Sequence, residues 1–161
     1  MDEVAVVDAS PLILLAGAGR LDLLRHVADR VIIPGAVERE ILVRGPNDLT
    51  VCSLRERSWI EIVSPSSVPP RILVWDLGEG ESAVLSAAAV TPGSIAVIDD
   101  LNARRCAASL KLRMIGTLGL VVRAKRLGVI ASARPVLREL RESGLYLSDA
   151  LFERAMREIG E

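Results

Sequence analysis

The sequence predicts an α/β fold, a three-layer α/β/α sandwich built on a short, mainly parallel sheet. Apolar runs of strand length, VAVVD at 4–8 and SIAVI at 94–98, are each followed by a stretch of helical composition. Strands alternating with helical patterns imply βαβ crossovers, and so a parallel sheet covered on both faces. The chain has 161 residues, half of them hydrophobic, which is long enough for one core and short for two ordinary ones. Residues 1–161 are therefore expected to form a single domain, with C-terminal helices over 134–159 packed on it.

VAVVD reads as a buried strand, PLILLAGAG as a short helix broken by Gly17 and Gly19, and LDLLRHVA as an amphipathic helix. VIIP at 31–34 is a second strand, ended by a proline that leads into the helix AVEREIL. DLTVCSLRERS is expected to be helical, WIEIV at 59–63 has strand alternation, and SPSSVPP at 64–70 is a loop. Helices through RILVWDL and GESAVLSAAA precede the strand SIAVI; the helix LNARRCAASLKL and a very short strand RMIG follow it. TLGLVVRAKRLG, PVLRELRES and DALFERAMREI complete the chain as helices, and no internal repeat is visible.

Composition excludes several classes of function. Two cysteines without CxxC spacing and a lone histidine, His26, rule out zinc sites built from Cys and His, so any metal is held by oxygen. No apolar run reaches the roughly 18 residues a membrane span needs, and the acidic start MDEVAVVD is unlike a signal peptide. A cytoplasmic protein without membrane association is expected. Aromatics are few and scattered (Trp59, Trp75, Phe152 and Tyr146 among them), which weighs against the stacking platforms of passive single-strand binders.

Charge is unevenly spread. The segment from Leu101 to Leu137 carries Arg104, Arg105, Lys111, Arg113, Arg123, Lys125, Arg126 and Arg134 and no acid at all. It reads either as a basic face that tracks a phosphate backbone or as a solvated helix surface. The acids concentrate earlier. Asp8 ends the first strand as Asp99 ends SIAVI, and neighbouring strands would bring the two carboxylates to one edge of the sheet. An acid closing so apolar a run is costly unless paired, coordinated or capping a helix, and Asp8 before Ser10 and Pro11 is also a good helix start. Glu38 and Glu40, two apart on a helix, point in different directions. Glu40, three after Val37 and beside Ile41, is the better candidate to face inward, its other reading being a surface acid paired with Arg44. Glu79 and Glu81 open the helix GESAVLSAAA, where the helix dipole favours acids whatever their role. Asp8, Glu40, Glu81 and Asp99 or Asp100 gathered at one edge would make an oxygen-only pocket suited to Mg²⁺ or Mn²⁺.

Five segments in this order and spacing, VVDASPLILLA, VIIPGAVEREIL, DLGEGESAVLSAA, AVIDDLNARR and GTLGLVVRAKRLGVI, resemble the PIN-domain family, in particular the prokaryotic branch related to VapC toxins. The resemblance covers roughly residues 4 to 130. It implies a Rossmann-like sandwich and a Mg²⁺- or Mn²⁺-dependent nuclease site of three or four acids. For toxin members it also implies RNA as substrate, a homodimer and a small antitoxin partner. Carried over, the family's acids fall on Asp8, Glu40, Glu81 and Asp99 as catalytic residues, with Asp8, Glu81, Asp99 and Asp100 as candidate metal ligands. Two positions depart from the pattern: Ala9 stands where many members have Thr or Ser, and Glu81 where classical toxin members have Asp.

The function expected from the sequence is thus a metal-dependent endoribonuclease of toxin–antitoxin type, with Arg104, Arg105, Lys111 and Arg113 binding RNA. The alternative is a catalytically silent PIN-fold module that binds RNA or a protein. A phosphatase of the haloacid-dehalogenase type needs a second Asp two residues after its nucleophile, and Asp8 is followed by Ala9 and Ser10.

Overall fold

The structure, a computed structural model, describes residues 2–64 and 67–161. Of the loop predicted over 64–70, Pro65 and Ser66 lie outside the described residues.

Five strands form one fully parallel sheet: β1 (Val4–Val7), β2 (Arg30–Pro34), β3 (Ile60–Val63), β4 (Ser94–Val97) and β5 (Met114–Ile115), in the order β3-β2-β1-β4-β5. β1 is central and buried along its whole length, as its unbroken Val-Ala-Val-Val run requires of a strand covered on both faces. It pairs with β2 (Ala5 opposite Val31) and with β4 (Val7 opposite Val97).

Between the strands lie α1 (Ala9–Gly17), α2 (Gly35–Leu42), α3 (Leu49–Glu56), α4 (Pro70–Leu73), α5 (Glu79–Val90) and α6 (Leu101–Ser109), and after them α7 (Thr117–Arg126), α8 (Ala133–Glu142) and α9 (Asp149–Glu158). Val37 and Ile41 of α2 are fully buried, as their spacing predicts. Val136, Leu137 and Leu140 of α8 and Phe152, Ala155 and Met156 of α9 join the same buried cluster as the strands. The N-terminus of α8 is closed by a residue far along the chain: Glu161 accepts from the amides of Ala133 (2.8 Å) and Arg134 (3.1 Å) and from the Ser132 hydroxyl (2.7 Å). That hydroxyl, then the Ala133 amide, hold the Glu161 carboxyl at about 2.

Two predicted helices come out differently. LDLLRHVA forms a 3-10 helix over the six residues Leu21–His26, because the chain leaves α1 through Gly19 at φ +66° and has ten residues in which to turn back toward β2. RILVWDL keeps only three residues, Arg71 to Leu73, within the four-residue α4, and Asp76 at φ +51° prevents the helix from continuing. Among the described residues no helix is long and apolar enough to cross a membrane.

Candidate active site

The chain leaves β1 for β2 on one side and later returns to place β4 on the other, so the strand order reverses between β1 and β4. In open parallel sheets the crevice outside the strand ends at such a point is where ligands bind. Asp8 sits there: its amide donates to Val97 O (3.1 Å), locking the end of β1 beside the end of β4. α2 starts directly after β2 and packs against α5, which delivers Glu40, Gly80 and Glu81 to the same edge.

Asp8 is buried, with 4 % of its surface exposed. It occupies the N-cap position of α1 yet makes no side-chain cap hydrogen bond. Burial pushes its carboxyl up to about 7; the Ala9 amide offsets part of this, and Glu81, Glu40 and Asp99 push the same way as burial. Glu40 does not face the core as its spacing suggested. The side chain as a whole is exposed, because the inward positions of α2 belong to Val37 and Ile41. Nor does it pair with Arg44, which holds Asp48 instead at 3.0 Å. Its carboxylate reaches back toward the sheet. A Cβ on Gly80 would stand 2.8 Å from Glu40 Oε2 and 3.3 Å from Asp8 Oδ1, so both carboxylates border the space that the missing side chain leaves. Partial burial of that end and the nearby Glu81 raise the Glu40 carboxyl. Glu81 folds back toward Gly78, and with Glu40, Gly78 and Gly80 it lines a cleft of about 500 Å³. Among the described residues no ion pair engages Asp8, Glu40, Glu81 or Asp99.

Asp99 and Asp100 are adjacent but differently employed. Asp100 is exposed and caps α6, accepting from the Ala103 amide at 2.8 Å. Asp99 accepts from both the amide (2.7 Å) and the hydroxyl (2.6 Å) of Thr117, which fix its carboxylate against the start of α7. Asp99, not Asp100, is the one of the pair that acts electrostatically on Asp8. A Cβ on Gly116 would lie 2.6 Å from Arg104 Nη1 and 2.9 Å from Asp99 Oδ1, so a glycine is needed for those two groups to approach here.

A set of carboxylate oxygens without a basic partner fits a hard divalent cation in its donor chemistry. Among the described residues no three His, Cys, Asp or Glu side chains stand in a ligating cluster. The pocket is thus no closed cage; Mg²⁺ sites commonly use one or two carboxylates and complete the shell with water and substrate phosphate.

The basic tract divides. Arg104 reaches the acidic edge, where its Nη1 donates to Ile98 O (3.2 Å), while Arg105 is exposed on α6. Lys111, in the turn after α6, and Arg113, which pairs with Glu3 at 2.6 Å, lie at the opposite edge of the sheet. The sequence reading missed Thr117, Gly80 and Gly116. The residue type at Thr117 carried the signal, a hydroxyl at the start of a helix one glycine beyond a short strand, yet only the pairing of β5 with β4 shows that it meets Asp99.

No curated protein matches the chain. The family model for the PIN domain matches residues 4–161, a span that takes in the sheet, the acidic edge and all the helices through α9. The chain therefore belongs to the PIN-domain family, whose fold is of the nuclease type.

Proposed function

We propose that the protein is an endoribonuclease of toxin–antitoxin type that hydrolyses RNA phosphodiesters with Mg²⁺ or Mn²⁺. One observation carries the reading: Asp8 is buried without a cationic partner among the described residues, and three further acids raise its pKa instead of relieving it. A fold keeps such a charge where a ligand compensates it.

Asp8, Glu81 and Asp99 are the residues that would hold the ion, Asp100 being occupied as a helix cap. When bound, a divalent ion supplies positive charge for the phosphodiester and lowers the pKa of water at the site. Asp8 must be ionised to take part, and Thr117 keeps Asp99 in one orientation. Glu40, which borders the same space at Gly80 as Asp8, would take a proton from the attacking water. Arg104 retains donors beyond the one spent on Ile98 O, and these suit a phosphate oxygen. In-line attack leaves a 5′-phosphate and a 3′-hydroxyl.

A homodimer and a small antitoxin belong to the same reading; Val43, 84 % exposed in the cleft that Glu40 and Glu81 line, supports an apolar contact there. The absence of a three-acid ligating cluster among the described residues favours the second reading, a silent module that only binds. Incubating purified protein with labelled single-stranded RNA, in Mn²⁺ or in EDTA, separates the two. Cleavage that needs Mn²⁺ and is lost in Asp8→Asn supports the nuclease; binding without cleavage in either condition supports the module.

A further inference from the structure

We propose that the cavity beside Asp99 is a nucleobase subsite for single-stranded RNA, in which Tyr146 receives one base while Arg104 meets a backbone phosphate. The inference rests on the ribonuclease reading. The cavity, about 620 Å³, lies between β5, α7, α9 and the loop that joins α8 to α9. That volume is in the range of about 300–1,000 Å³ typical of small-ligand sites.

Its lining combines Asp99 and Arg104 with an apolar wall that includes Leu118, Val122 and Leu147. Tyr146 completes it. Its side chain is 94 % exposed although Leu147, the next residue, is buried, so the backbone is anchored while the ring is presented to solvent. Trp59 is covered by Arg25 and Phe152 by Arg134 and Arg141; among the described residues no such partner covers Tyr146. Unpaired bases stack on open aromatic rings and insert beside apolar side chains. Arg154 and Glu158, which also line the cavity, pair with each other at 3.3 Å and so add little net charge.

What selects a base over a protein side chain is continuity. The cavity shares Asp99 and Arg104 with the acidic edge, so its occupant lies against the phosphodiester held there. The strand being cut carries a base on each nucleotide that flanks the scissile phosphate.

The test is binding of a short labelled single-stranded RNA in EDTA, which removes any dependence on metal or cleavage, beside a ribose-phosphate oligomer of the same length lacking bases. Tyr146→Ala is expected to weaken RNA binding by about fivefold to a hundredfold and to leave the base-free oligomer unchanged, while Tyr146→Phe binds as wild type. Equal RNA affinity for wild type and Tyr146→Ala overturns the subsite. So does an unchanged RNA affinity with an altered sedimentation coefficient, which makes the cavity a contact between copies of the chain. Failure of the nuclease reading is seen separately, as wild-type protein that does not cut RNA in Mn²⁺.

Discussion

The two edges of the sheet carry the same residue types in opposite electrostatic states. At the edge where strands begin, Glu3 is held between Arg113 (2.6 Å) and Arg123 (3.1 Å), and the Arg113 hydrogen bond, foremost, draws its carboxyl below the usual range. At the edge where strands end, just past the same strand, Asp8 is pushed up to about 7, first by its burial and then by Glu81, Glu40 and Asp99, and among the described residues no ion pair relieves it. Acids paired with arginine stabilise the fold modestly and are finished with. Acids left facing one another cost stability, and that cost marks where a ligand is expected.

The comparison breaks most visibly at Asp8. Asp8→Asn is expected to lower RNA cleavage in Mn²⁺ by at least about a hundredfold while raising the stability of the metal-free protein at pH 8 by roughly 2 kcal/mol, read by urea unfolding. A substitution that inactivates and stabilises together is the mark of a site; loss of both would assign Asp8 a structural role.

The pH dependence follows from the same group. The folded pKa of Asp8, about 7, lies above its ordinary 3.8. Between those values the folded state binds more protons than the unfolded, so metal-free stability falls as pH rises through the window and levels off above it. Cation affinity runs the other way, rising up to about 7 as the competing proton leaves. Unfolding midpoints from pH 4 to 8 should show this slope in wild type and a clearly shallower one in Asp8→Asn, Glu40 contributing the remainder. Glu3 behaves conversely: its folded pKa is lowered, so the stability it lends is present above pH 4.5 and lost as pH falls through the folded value.

Thr117 sharpens the account at intermediate size. Thr117→Val removes the 2.6 Å hydroxyl bond to Asp99 and keeps the shape of a fully buried side chain. Stability should fall by about 1–2 kcal/mol and cleavage by about tenfold; cleavage at the wild-type rate would show that the orientation of Asp99 does not matter. The smallest effect belongs to the opposite edge. Glu3→Gln removes two partly exposed ion pairs, with Arg113 and with Arg123; it should cost about 1 kcal/mol or less and should leave cleavage and cation affinity unchanged.

How much of this was legible in the sequence depended on whether the meaning of a residue was local. VAVVD and SIAVI fixed the two central strands and their terminal acids because a run of β-branched residues has one stable use in a parallel sheet. The choice between Asp99 and Asp100 was not local. What distinguishes the two is Thr117, eighteen residues on from Asp99, which orients that carboxylate, and the helix cap that engages Asp100. The basic tract divides between the two edges for a topological reason. In a βαβ unit the helix carries the chain from the end of one strand back to the start of the next, so charges contiguous in sequence are shared between both edges. Arg104, at the start of α6, therefore stays with the acids, and Arg113, just before β5, does not.

Whether the acidic edge is a divalent-cation site is read by calorimetric titration of Mn²⁺ into wild type, Asp8→Asn and Glu3→Gln at pH 7.5. Saturable binding in wild type and Glu3→Gln that disappears in Asp8→Asn is the predicted result. Equal heats and affinities in all three proteins, or binding lost with Glu3 rather than with Asp8, would contradict it.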